Sequence, residues 1–171
     1  MPEAELSREC SSCTACCDGW ISITVYGEEI GLDHPCPHTT GSGCRIYEKR
    51  PVDPCKTFEC GWLIEGSPLP DWMRPDNAKV IVMLNKYSME GRQVDAAVTI
   101  GEKLTPASLE WLKNYTLQNG RALIITGTAI NEGDGSPRTT ITVFGPDIFK
   151  KKIDNLIRSG RFSLTAETLS A

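Results

Sequence analysis

The feature that most constrains this chain is the run Cys10-Ser-Ser-Cys13-Thr-Ala-Cys16-Cys17. Two-residue spacing lets consecutive thiolates turn toward one point, and one such pair is half of a tetrahedral zinc site. Three cysteines at successive two-residue spacings go further. They match the C-x2-C-x2-C run that wraps three corners of an iron–sulfur cubane, with a remote cysteine closing the fourth. The residues between them are small, which suits close backbone approach to sulfur. Cys16 and Cys17 are adjacent, and neighbouring side chains of an extended segment point opposite ways. One of the two can face one metal and its neighbour another, or one can be a buried structural thiol.

Four further cysteines follow: Cys36, Cys44, Cys55 and Cys60. All eight therefore lie between positions 10 and 60, and all eight are candidate metal ligands. Eight thiols in a secreted chain would be read as a disulfide scaffold. The acidic start of the sequence has no apolar run of the secretory kind, so the expectation is a cytoplasmic protein whose thiols stay reduced and bind metal. The count divides evenly into two four-thiolate zinc sites. It also accommodates a [4Fe–4S] cluster, alone or beside a zinc. His34 and His38 flank Cys36 and are weaker candidates, because eight thiols are already present. Pro35, Pro37, Pro51 and Pro54 stiffen the loops that carry Cys36 and Cys55. Arg45 and Arg50 stand next to this group, where a guanidinium can offset thiolate charge or be an ordinary surface side chain.

The chain divides in character. Residues 1–76 hold every cysteine, both histidines and eight of the eleven prolines. Periodicity there is poor. One strand is expected within Trp20–Tyr26, and a helical turn is expected to start at Gly27-Glu-Glu-Ile30. Residues 78–171 contain no cysteine and read as ββαββα. A strand over Val80–Leu84 turns at Glu90-Gly91 and returns over Gln93–Ile100. A helix is capped by Thr105, has Pro106 at its first position and stops at Gly120, with Leu109, Leu112 and Leu117 as its apolar face. Strands at Ala122–Thr126 and Thr139–Phe144 and a helix opened by Pro146 complete the set. That last helix carries Ile148, Phe149, Ile153, Leu156 and Ile157 as its apolar positions, and a loose tail is expected from Ser163. The expected class is α+β: an irregular cysteine-rich module packed on a half with a mostly antiparallel sheet and helices on one face.

These residues resemble a family. Cys10 to Cys17, then Cys36-Pro-His38, then Gly43-Cys-Arg-Ile-Tyr-Glu-Lys-Arg-Pro51, then Cys55-Lys-Thr-Phe-Glu-Cys-Gly-Trp-Leu63 are similar to the YkgJ-type cysteine cluster proteins, a CxxCxxCC family of zinc- or iron-chelating domains. The resemblance covers residues 10 to 63, about a third of the chain. It implies metal binding and leaves activity open, although one branch of the family, the flagellin lysine methylases, carries an iron–sulfur cluster. Here Arg50-Pro51 is followed by three residues rather than two before Cys55, which shifts that ligand by up to ~3.5 Å of chain.

The remaining composition excludes more than it assigns. Net charge is −4, which argues against nucleic acid, and no stretch approaches a membrane span. Gly41-Ser-Gly43 is too short for a nucleotide loop, and no catalytic residue is assigned. The leading expectation is a structural metalloprotein whose second half binds a protein partner. The alternative is an enzyme acting on protein side chains with the metal centre as structural or redox core. A metal chaperone is disfavoured, because eight thiolates in a proline-stiffened frame favour retention.

Overall fold

The computed structural model describes residues 8–162, and the tail expected from Ser163 lies outside the described residues. The chain forms two compact units, Met1–Asn77 and Ala78–Ala171.

The first unit has little regular structure. After a π-type turn at Cys16–Trp20 come two three-residue strands, β1 (Ile23–Val25) and β2 (Glu28–Ile30), paired antiparallel with Ile23 opposite Ile30. The helical turn expected at Gly27–Ile30 is therefore a strand. Tyr26 and Gly27 both adopt positive φ, the pattern of a tight hairpin turn, and pairing with β1 overrides the helical preference of the two glutamates. A 3₁₀ turn at Tyr47–Lys49, a second π-type turn at Val52–Lys56, a 3₁₀ turn at Asp71–Met73 and the one-turn helix α1 (Pro75–Ala78) follow. Val25, Ile30 and Cys36 form a small buried cluster, with half-buried Cys17, Ile23 and Cys55 packed against it. Half of that apolar cluster is thiol.

The second unit is ordinary by comparison. Its sheet has the order β3-β4-β5-β6 (Val80–Met89, Arg92–Thr99, Ala122–Ile130, Pro137–Phe144). Two of its pairings are antiparallel hairpins. The central β4–β5 pair is parallel, because the chain crosses over through helix α2 (Pro106–Asn119). Glu90 and Gly91, both at positive φ, make the β3–β4 turn. Thr105 Oγ1 accepts the Ser108 N–H at 3.1 Å, and Gly120 ends α2 in the left-handed conformation at φ 60°.

The buried side of α2 is Ser108, Leu112 and Thr116, while Leu109 and Leu117 are exposed, which corrects the apolar face expected from spacing. Ser108 Oγ donates to the Ala78 carbonyl at 2.6 Å, so a small polar residue occupies the close contact. Helix α3 (Asp147–Arg158) lays Phe149 and Ile153 on Met89, Val94, Ala122 and Ile124, leaving Ile148 and Ile157 exposed. The opposite side of the central strands, with Asp95, Ala97, Leu123 and Ile125, is also buried, so both faces of the sheet are covered. Asp95 is fully buried where β3 bulges: between the pairs Met83–Ala96 and Tyr87–Val94, three residues of β3 face this one residue of β4. Its carboxylate accepts the Asn85 N–H at 2.8 Å and two bonds from Arg121 at 2.6 Å. No described helix is long and apolar enough to cross a membrane.

Candidate metal centre

All eight cysteines are free thiols. Four of them open a tight turn in which the N–H three residues on bonds back to the cysteine carbonyl: Cys13 N to Cys10 O at 2.7 Å, Thr39 N to Cys36 O at 3.0 Å, Tyr47 N to Cys44 O at 3.3 Å and Leu63 N to Cys60 O at 2.9 Å. Such turns bring backbone N–H groups toward the sulfur. At Cys60 the N–H groups of Trp62 and Leu63 act on the thiol directly, favouring its thiolate against the opposing effect of burial.

Electrostatic neighbours are resolved for five of the thiols, and they point to two groups. Burial first, then the thiols of Cys13 and Cys60, raise Cys10 to about 11. Burial raises Cys16 strongly, followed by Cys60, Cys10, Cys17 and Cys13. These four, Cys10, Cys13, Cys16 and Cys60, make the first set. Cys17 is raised by burial to about 12, with Cys36 and Cys44 as its strongest neighbours. Cys55 is raised by burial and then by Cys36 and Cys44. Cys17, Cys36, Cys44 and Cys55 make the second set. The sets adjoin: Cys10 also feels Cys44, Cys17 also feels Cys10, and Cys16 feels Cys17 more strongly than Cys13. Among the described residues, no three Cys, His, Asp or Glu side chains are drawn in closely enough to hold one metal ion.

Local geometry fixes the turn that carries adjacent Cys16 and Cys17. The π-type turn carrying them is broken at Gly19, whose φ is 89°. A Cβ there would fall 2.0 Å from the Gly31 carbonyl oxygen, so only glycine lets this turn lie on the segment after β2. Cys36 N donates to Cys17 O at 2.8 Å, which draws the second group of cysteines onto the first run. Asp18 strengthens the join, accepting Thr14 Oγ1 at 2.8 Å and Thr39 Oγ1 at 3.5 Å.

The histidines have contacts of their own. His34 is exposed, with its backbone bridged to Gly31, and His38 packs edge-on against the Tyr26 ring. Of the two arginines singled out from sequence, Arg45 is exposed, whereas half-buried Arg50 acts on both Cys10 and Cys55, lowering each. Sequence reading missed Arg74. It pairs with Asp76, reaches Ser12 Oγ at 3.3 Å and interacts electrostatically with Cys13. Its distance from the cysteines along the chain gave no signal.

No family model, no curated protein and no solved structure matches this chain.

Proposed function

We propose that the N-terminal unit is a metal-binding module with two four-thiolate centres, one from Cys10, Cys13, Cys16 and Cys60 and the other from Cys17, Cys36, Cys44 and Cys55. The observation that carries this reading is that, among eight free thiols, adjacent Cys16 and Cys17 have different strongest thiol neighbours, Cys60 and Cys36. The donor chemistry fits. Soft thiolates select zinc or iron–sulfur clusters, and a bound cation reverses the electrostatics that otherwise raise these thiols. The resemblance of residues 10 to 63 to chelating domains points the same way.

The first set combines the tandem two-residue spacing with one remote cysteine, which is the ligand pattern of a [4Fe–4S] cluster. The second has four thiolates, the number that closes a tetrahedral structural zinc site. The role of both is structural in the first instance: a unit whose apolar cluster is half thiol gains folding free energy from metal–ligand bonds. Anaerobic purification with elemental analysis and an absorption spectrum tests this. The expected preparation is brown, absorbs broadly near ~400 nm and holds about four iron and one zinc atoms per chain. A colourless preparation with about two zinc atoms would retain the two centres and replace the cluster. A metal-free preparation that also fails to bind added zinc or reconstituted iron and sulfide would overturn the reading.

A further inference from the structure

The first unit also contains a cavity that borders both proposed centres. It has a volume of about 900 Å³, enough for a metabolite-sized molecule. Its lining includes Cys10 from the first thiol set and Cys55 from the second. Phe58, Leu63 and Ile64, all half-buried, give it an apolar wall.

The charges around it are unequally placed. Arg8 lines the cavity but is already occupied: its guanidinium donates to Trp62 O, Leu69 O and the Asp71 carboxylate. Glu9, Glu59 and Glu65 are exposed, as is Lys56, and form a solvated rim. Arg50 is half-buried, and among the described residues no carboxylate forms an ion pair with it. Its Nε donates to Tyr47 O at 2.8 Å, and its guanidinium lies 3.7 Å over the Tyr47 ring. These two contacts fix the side chain by Nε and by one face. The Nη atoms keep the fork geometry that binds an oxyanion through two hydrogen bonds.

We propose that this cavity binds a small organic oxyanion, with a carboxylate or phosphate group held by the Nη atoms of Arg50 and an apolar body lying along Phe58, Leu63 and Ile64. The inference does not depend on which metal the thiols hold. Arg50 also acts on the nearby thiols, so its role as ligand anchor has to be separated from a role as counter-charge alone.

The experiment is an NMR titration of the full-length, metal-loaded chain with phenylacetate, phenyl phosphate and, as the neutral control, benzyl alcohol. Metal content is measured in every sample. At least one anion should bind saturably, shifting the Arg50 Nε–H signal and the amides of Phe58, Leu63 and Ile64. Benzyl alcohol should bind at least about tenfold more weakly, and Arg50→Gln, compared at equal metal content, should weaken the anion by about tenfold. Whichever anion binds tighter identifies the headgroup as carboxylate or phosphate. The proposal is overturned if neither anion saturates, if the alcohol binds as well as the anions, or if the shifts map elsewhere. Undiminished anion binding by a folded Arg50→Gln protein would equally overturn it, leaving Arg50 as counter-charge alone. Should that variant fail to fold or lose its metal, the comparison of anion with alcohol on the wild-type chain decides.

Discussion

Cys16 and Cys17 are joined by one peptide bond, yet their strongest thiol neighbours differ: Cys60 for Cys16 and Cys36 for Cys17. One turn therefore ties the two proposed centres together. Loss of order at either is expected to be felt at the other through that turn and through the Cys36 N–H to Cys17 O bond.

The thiols make the metal-free protein sensitive to alkali. Cys10 and Cys17 are raised from 9.0 to about 11 and about 12, so between those values the folded chain holds protons that the unfolded chain has released. More protons on the folded state means stability falls as pH rises. The metal-free chain is expected to lose stability progressively from pH 9 toward 12, whereas the metal-loaded chain, its thiolates already deprotonated, should not show this thiol-linked loss. Urea midpoints across that range, with and without metal, measure it.

Gly19→Ala should be among the most damaging single changes in the first unit. The added methyl would meet the Gly31 backbone at 2.0 Å, and a cost of about 3 kcal/mol or more is expected. Gly27→Ala is the matched control. It also sits at positive φ, but nothing lies within 4 Å, so about 1 kcal/mol is expected. Equal effects in urea denaturation would show that the close approach of Gly19 to Gly31 is not limiting.

In the second unit, Arg121→Ala would leave the fully buried Asp95 carboxylate without its cation, at an expected cost of about 3 kcal/mol. The double change Asp95→Leu with Arg121→Met should recover much of that loss, since a well-packed apolar pair often replaces a buried ion pair without penalty. The Asn85 N–H that Asp95 accepts would then need water at the bulge. Equilibrium unfolding of the single and double variants gives the comparison.

What could be read from sequence was local. The α2 boundaries rest on Thr105, Pro106 and Gly120, residues that act within a turn of themselves, and the β3–β4 turn rests on Glu90-Gly91. The buried side of α2 was not legible. Its apolar residues at 109 and 117 face water, while Ser108 and Thr116 face inward, a choice set by the Ala78 carbonyl on a distant segment. Strand β2 was misread for a similar reason, because three residues with two glutamates become a strand only through pairing with β1. At the candidate centre, the tandem spacing marked Cys10, Cys13 and Cys16 as a group. Which remote cysteine joins them depends on how the loops return, and no residue next to Cys60 or Cys36 encodes that.

Chelation should act unequally on the two units. The first relies on thiol-rich loops, whereas the second has a continuous sheet and a capped helix. Hydrogen exchange after metal removal should therefore show loss of protection up to about residue 77, with the amides of β4 and β5 still protected. Simultaneous loss throughout would mean that the chain unfolds as one cooperative whole.

The division of the thiols is tested most directly by reconstituting the metal-free chain with ¹¹³Cd, which takes the same four-thiolate coordination as zinc, and recording its NMR spectrum. Two resonances in the all-thiolate range are predicted. Cys16→Ser should perturb chiefly one, and Cys17→Ser chiefly the other. A single resonance, or both variants perturbing the same one, would contradict the two-centre account.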